Sequence, residues 1–183
     1  MSSESNRKNI AVFCAAADGA HPEYRDIADQ LGRELAARNL GLIFGGASIG
    51  LMGAVANASL AAGGYVIGVI PHVLVEKEIT HNGVSELHVV DTMHARKKLM
   101  GDRAHAFLIL PGGFGTFEEL FEVLAWQTLK IHAKPVVLLN VAGFYDGLLD
   151  FLDTCDREGM LRGNRAALLT ANTVDEALQL CAL

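Results

Sequence analysis

AFLILPGGFGTFEELFEVLAWQTL, residues 106–129, is the segment that decides the fold. Its first five residues, Ala106 to Leu110, form a continuous apolar run of the kind buried on both faces of a sheet. Pro111–Gly112–Gly113–Phe114–Gly115–Thr116 interrupts that run with glycines and leads directly into an apolar-faced helix, Thr116 to Leu129. A strand, a glycine turn and a helix N-terminus in this order offer backbone amides and the positive end of a helix dipole to an anion such as phosphate. The helix end contributes only ~0.3–1 kcal/mol when exposed and up to ~2 kcal/mol when partly buried, so charged side chains must assist. The same residues also fit a tight turn with no ligand, since Gly45–Gly46 makes a second glycine turn at another strand end.

On either side of this segment, short apolar runs alternate with amphipathic stretches. Ile10–Cys14, Leu42–Phe44, Tyr65–Ile70, Glu86–Val90, Pro135–Leu139 and Ala167–Thr170 read as strands. Helices are expected from Pro22 through Leu35, over Gly50–Ala62, Asp91–Arg103 and Tyr145–Glu158, and over Val174–Cys181. His72–Gly83 reads as a polar connection. Apolar strands separated by helices imply an α/β fold, a parallel sheet covered by helices on both faces. Ligands of such sheets bind outside the carboxyl ends of the strands. That rule selects Cys14–His21, Gly45–Gly50, Asp91–Lys97 and Pro111–Glu119 as site loops.

Length and composition agree with a single domain. The 183 residues, 51% hydrophobic and 20% charged, suffice for a core that needs neither disulfide nor structural metal. A polar tail over residues 1–8, disordered, is expected to precede one domain over residues 9–183. A net charge of −6 argues against non-specific binding to nucleic acid or to an anionic membrane. It leaves a phosphate ligand open, because a nest of amides works under any global charge. Cys14, Cys155 and Cys181 are odd in number and widely spaced, which points to a reducing compartment. With a polar start, Met1–Lys8, and no apolar run near a membrane span, the expected location is cytoplasmic.

Familiar motifs are excluded one by one. No Gly-Lys-Ser/Thr exists for a Walker loop, and Gly113, Gly115 and Glu118 give GxGxxE rather than a dinucleotide fingerprint. The histidines are scattered without metal-ligand spacing, no GxSxG elbow occurs, and nothing marks Cys14 as a nucleophile. Thr116 and Glu119 match a capping box, which would make Glu119 structural. Arg96 and Lys97 are cations in the first turns of a helix, where they oppose its dipole unless an anion or a function offsets the cost.

Two of these segments together carry a resemblance. Met93–His94–Ala95–Arg96–Lys97, followed by Pro111–Gly112–Gly113–Phe114–Gly115–Thr116–Phe117–Glu118–Glu119, resembles the MHxRK and PGGxGTxxE motifs of the Lonely Guy family. Phe44–Gly45–Gly46, Gly50–Leu51–Met52–Gly53, Val69–Ile70–Pro71 and Glu86–Leu87–His88–Val89–Val90 extend the likeness over nearly the whole chain. The resemblance implies a Rossmann-like, doubly wound parallel sheet in a homodimer with the site near the subunit interface. It implies a phosphoribohydrolase that releases free base and ribose 5-phosphate from a nucleoside 5′-monophosphate, without cofactor or metal. Cytokinin riboside monophosphates are the family's best-known substrates, and many bacterial members accept AMP. Members often carry the label lysine decarboxylase, which fits this sequence poorly. No pyridoxal-phosphate cup with a Schiff-base lysine is apparent.

Carried over by position, the resemblance makes Arg96 and Glu119 the catalytic pair. It gives the phosphoribosyl group to Gly112, Gly113, Phe114, Gly115 and Thr116. Lys97, Glu118, Met93, Gly46 and Glu78 join them as binding residues. In such a site a carboxylate stabilises the positive charge growing on ribose and deprotonates water, typically worth about 10²–10⁴ in rate. Arg96 is expected to clamp phosphate or ribose oxygens bidentately. The chain departs from the family at Cys14–Ala15–Ala16–Ala17–Asp18, where CGSS is usual, and at Ala47 in place of a third glycine. Ala125 stands where plant members tend to carry threonine. The altered first loop keeps a second reading open, a non-catalytic nucleotide or cofactor carrier of the same fold.

Overall fold

The computed structural model describes residues 7–75, 80–162 and 164–181. Seven strands, all parallel, form one sheet in the order β4-β3-β2-β1-β5-β6-β7. They are β1 (Asn9–Phe13), β2 (Gly41–Phe44), β3 (Val66–Pro71), β4 (Glu86–Val90), β5 (Ala106–Ile109), β6 (Val136–Leu139) and β7 (Leu168–Ala171). The helices between them are α1 (Pro22–Ala37), α2 (Gly50–Ala61), a one-turn α3 (His72–Val75), α4 (Met93–Arg103), α5 (Phe114–Thr128), α6 (Asp146–Arg157) and α7 (Val174–Leu180).

The apolar strand runs explain the layering. Side chains alternate across a strand, so a run that is apolar throughout supplies two cores at once. In β1 and the residue after it, Ile10, Val12 and Cys14 join the core beneath α1, α2 and α7. Ala11 and Phe13 join the opposite core beneath α4, α5 and α6. The sheet reverses its order between β1 and β5, which pair directly, Ile10 opposite Ala106 through Phe13 opposite Ile109. The loops after these strands therefore diverge to opposite faces and leave a crevice at their carboxyl ends.

Several details differ from the reading of the sequence. Helix α5 begins at Phe114, two residues before the expected Thr116, and α4 begins at Met93 with Thr92 as its cap. Part of the expected polar connection is the short helix α3. Of the expected tail, residues 1–6 lie outside the described residues, whereas Arg7 and Lys8 are anchored. The Arg7 guanidinium lies 4.4 Å from the centre of the Tyr65 ring, and the Lys8 carbonyl accepts from the Gly41 amide at 2.9 Å. Among the described residues no helix is long and apolar enough to cross a membrane.

Candidate active site

The crevice between the ends of β1 and β5 holds a cleft of about 450 Å³. Cys14, Ala15, Ala16 and Ala17 line it from the first loop, Gly45 from the second, Met52 from α2, and Gly113, Gly115 and Thr116 from the glycine turn. Val12 and Phe13 at the end of β1, with Arg96 and Glu119, complete the lining.

The glycine turn is open toward ligand. Gly113 caps α5 with no side-chain cap, so Thr116 lies inside the helix and the capping-box reading fails. The amides of Phe114, Gly115 and Thr116 have no intrahelical acceptor, and no other group among the described residues takes them. A Cβ built on Gly113 or Gly115 meets nothing within 4 Å, so the chain itself leaves bare backbone there. Gly112 is different, because the Thr116 side chain folds back over it and would meet a Cβ at 2.0 Å.

Helix α2 also points its N-terminus this way, but its Leu51 and Met52 amides are occupied. Met52 donates to the Ala15 carbonyl at 3.3 Å, and Leu51 to the Ala17 carbonyl at 3.4 Å. Gly50 permits this approach. Its φ is +58°, and a Cβ there would sit 2.3 Å from the backbone of Ala16 and Ala17. The Ala15 amide in turn donates to the Pro111 carbonyl at 3.1 Å, which ties the first loop to the glycine turn. Of the two helix ends, α5 is the one left free for an anion.

Arg96 is held by the sheet. Its Nε donates to the Val69 carbonyl at 3.1 Å, within β3, and its Nη2 to the Gly45 carbonyl at 3.0 Å, directly after β2. Gly45 makes room for the guanidinium, since a Cβ there would lie 2.0 Å from Nη2. Nη1 stands 3.8 Å from Glu119 Oε1. With Nε and one Nη2 hydrogen committed to carbonyls, one edge of the guanidinium is used on the backbone, while both Nη1 hydrogens and the second on Nη2 leave the Nη1–Nη2 edge for an oxyanion.

Glu119 is buried, and burial is the main reason its carboxyl is raised from 4.5 to about 7. Arg96 and Lys97 pull the other way, while Glu118 and Glu122 push it up further. A carboxyl poised near neutrality can give or take a proton at physiological pH. The Cys14 thiol nearby is pushed up by burial and by Glu119, so it stays protonated and is no nucleophile. Among the described residues no group of three or more His, Cys, Asp or Glu is placed to hold a metal ion.

The remaining expected residues are dispersed. Gly46 lies buried at φ +82°, behind the cleft lining, and Met93 touches Arg96 Nη1 through its sulfur at 4.0 Å. Phe114 projects outward, 92% exposed. Lys97 and Glu118 meet each other at the seam between α4 and α5, outside the cleft lining. Glu78 lies outside the described residues. Sequence reasoning selects the loops that contribute Ala15–Ala17 and Gly45 but not these residues singly, and in choosing site loops it passes over Met52 of α2 and Glu122 of α5. The signal for Glu122 is its spacing, four residues on from Glu118 and so on the same helical face.

Comparison with known proteins adds a family to this geometry. A family model described as "Possible lysine decarboxylase" matches residues 52–181. A cytokinin riboside 5′-monophosphate phosphoribohydrolase of Arabidopsis thaliana is 46% identical over 97% of this chain and 84% of its own length. A second from the same plant is 49% identical over 88% of this chain and 76% of its own. Among solved structures, the molybdenum cofactor carrier protein of Chlamydomonas reinhardtii superposes with a TM-score of 0.73. It covers 97% of this chain and 100% of its own at 23% identity, a likeness of fold.

Proposed function

The chain belongs to the Lonely Guy family, and from that membership we propose that it is an N-glycosidase that hydrolyses a nucleoside 5′-monophosphate to free base and ribose 5-phosphate. The substrate is a cytokinin riboside 5′-monophosphate or AMP. The observation that carries this reading is the Arg96–Glu119 pair, buried in one cleft with the unoccupied amides of the glycine turn.

In this reading the 5′-phosphate rests on the amides of Phe114, Gly115 and Thr116 at the positive end of α5. The sugar then lies over Glu119. As the bond from C1′ to the base nitrogen breaks, positive charge grows on the ribose, and the Glu119 carboxylate stabilises it. Glu119 takes a proton from the water whose oxygen bonds to C1′; the departing nitrogen keeps the bonding electrons and is protonated from solvent, and Glu119 then returns its proton to solvent. Arg96, fixed by the Val69 and Gly45 carbonyls, holds Glu119 in place and offers Nη1 to the ribose. Remote binding of the phosphate supplies the energy that positions the sugar.

The lysine chemistry in the family model's description fits this cleft poorly. A pyridoxal Schiff base needs a lysine amine at the site, and among the described residues no lysine lines the cleft. Lys97, one residue from Arg96, has its ammonium on Glu118 and Glu122.

A homodimer is part of the same proposal. Phe114, Phe121, Leu129, Ile131, Phe151 and Met160 are exposed apolar side chains that a second copy would cover. A cytoplasmic location agrees with three free cysteines, Cys14, Cys155 and Cys181.

Incubation with AMP and with isopentenyladenosine monophosphate, following free base by chromatography beside Glu119→Ala, tests the proposal. Base release that disappears in the variant supports the hydrolase and ranks the substrates. No release from either, with AMP still binding by calorimetry, turns the reading to a carrier.

A further inference from the structure

Lys97 follows Arg96 in α4 and, one helical step of 100° on, faces α5 instead of the Val69 and Gly45 carbonyls. Its side chain is 9% exposed, and its ammonium contacts Glu118 and lies 2.9 Å from Glu122. Glu118 and Glu122 are one turn apart on α5 and straddle Glu119 in sequence. Three carboxylates thus fall within five residues of one helix, and α4 supplies the cation that meets the outer two.

Such an arrangement is a poor way to gain stability. Glu118 is half exposed, so its pairing contributes little, and apolar side chains often do as well as a more buried pair such as Lys97–Glu122, or better. What the pairing does provide is a fixed seam between α4, which carries Arg96, and α5, which carries Glu119. The charged and titratable groups that bear on Glu119 are Arg96 and Lys97 from α4, Glu118 and Glu122 from α5, and the Cys14 thiol at the end of β1.

We propose that Lys97 is the positioning residue of this site: by holding Glu118 and Glu122 it keeps α5 in register with α4, and it offsets the two negative charges flanking Glu119. The inference rests on Glu119 being the catalytic carboxylate. It also separates Lys97 from phosphate binding, since its ammonium is committed away from the cleft. Glu118 and Glu122 raise the proton affinity of Glu119, and Lys97 and Arg96 lower it. Removing Lys97 and removing Glu122 must therefore shift Glu119 in opposite directions.

The test is the pH profile of kcat for wild type, Lys97→Met, Lys97→Arg and Glu122→Gln, with the Glu119 carboxyl titrated directly by carbon-13 NMR. Lys97→Met is expected to move the acid limb up by at least about half a pH unit, and Glu122→Gln to move it down by a similar amount. Lys97→Arg restores the wild-type limb. At neutral pH Lys97→Met lowers kcat roughly three- to tenfold with KM nearly unchanged, because the residue does not reach substrate. The proposal is overturned if both variants move the limb the same way, or if Lys97→Met raises KM and leaves kcat alone. Should Lys97→Met fail to fold, the sign of the Glu122→Gln shift decides. A wild type that releases no base would sink the hydrolase reading, whereas the NMR titrations would still judge the role of Lys97.

Discussion

Arg96 Nη1 and Glu119 Oε1 lie 3.8 Å apart, both side chains at most 10% exposed, in a pair where the arginine is anchored twice to the backbone and the glutamate is not. The asymmetry assigns the roles. The arginine is a fixed electrostatic wall, and the carboxylate is the group whose charge can change.

Glu119→Gln keeps the shape of the side chain and removes its ability to accept a proton. We expect kcat for base release to fall by about 10²–10⁴ with KM altered little. Steady-state kinetics beside a calorimetric binding measurement would check this. Turnover within a few-fold of wild type would remove Glu119 from the mechanism.

The raised carboxyl of Glu119 sets a pH dependence for activity. With about 7 in the folded protein, the carboxylate form accumulates as pH rises through neutrality, so kcat should climb along an acid limb centred there. A limb at the ordinary glutamate value of 4.5 would contradict this.

Stability should run the other way. Between pH 4.5 and about 7 the folded protein keeps the Glu119 proton while the unfolded chain has released it, so this group's contribution is full below 4.5 and is lost as pH rises through 7. The loss is on the order of 3 kcal/mol over that window. Urea unfolding at several pH values, with Glu119→Gln as the reference, should show this slope in wild type and not in the variant.

Arg96→Ala removes the cation and leaves the Val69 and Gly45 carbonyls and Glu119 without their partner. A destabilisation of about 3–5 kcal/mol is expected from breaking so buried an arrangement. A lysine in place of this arginine could not serve both carbonyls and Glu119 from one nitrogen, so Arg96→Lys should also lose stability and most activity. Denaturant midpoints for the two variants would measure both losses of stability, and kinetics on Arg96→Lys the loss of activity.

Two glycines should part company. Gly115→Ala meets no atom within 4 Å and sits in the first turn of α5, so stability should hold or rise by up to about 1 kcal/mol. The new methyl would nevertheless stand in the ligand's path and raise KM tenfold or more. Gly45→Ala instead drives a Cβ to 2.0 Å from Arg96 Nη2, and both Tm and kcat should drop. Thermal melts and kinetics on the pair distinguish a residue kept for ligand from one kept for its neighbour.

Much of this fold can be read directly from residues. Ala106–Leu110, Leu42–Phe44 and Pro135–Leu139 are apolar without interruption and bounded by turn residues, so they read as central strands, and the structure has strands there. The start of α5 is harder to read because glycine is a poor helix former, yet Gly113 caps the helix and Gly115 lies within it. The cradle of Arg96 is invisible in sequence for another reason. Its acceptors are backbone carbonyls 27 and 51 residues away, and any residue type supplies a carbonyl. The direction in which Lys97 faces also depends on how α4 rests on α5, which no local pattern records.

The contact of Gly50 with Ala16 and Ala17 has a consequence for anyone redesigning this protein. Backbone packed against backbone at 2.3 Å from a would-be Cβ leaves no slack to absorb a change on one side alone. The first and second loops are thus one heritable unit. Grafting a serine-bearing first loop from a relative should be strongly non-additive with changes at residues 49–52. A directed-evolution library that varies 15–17 and 49–52 together samples far more viable proteins than two libraries varied in turn.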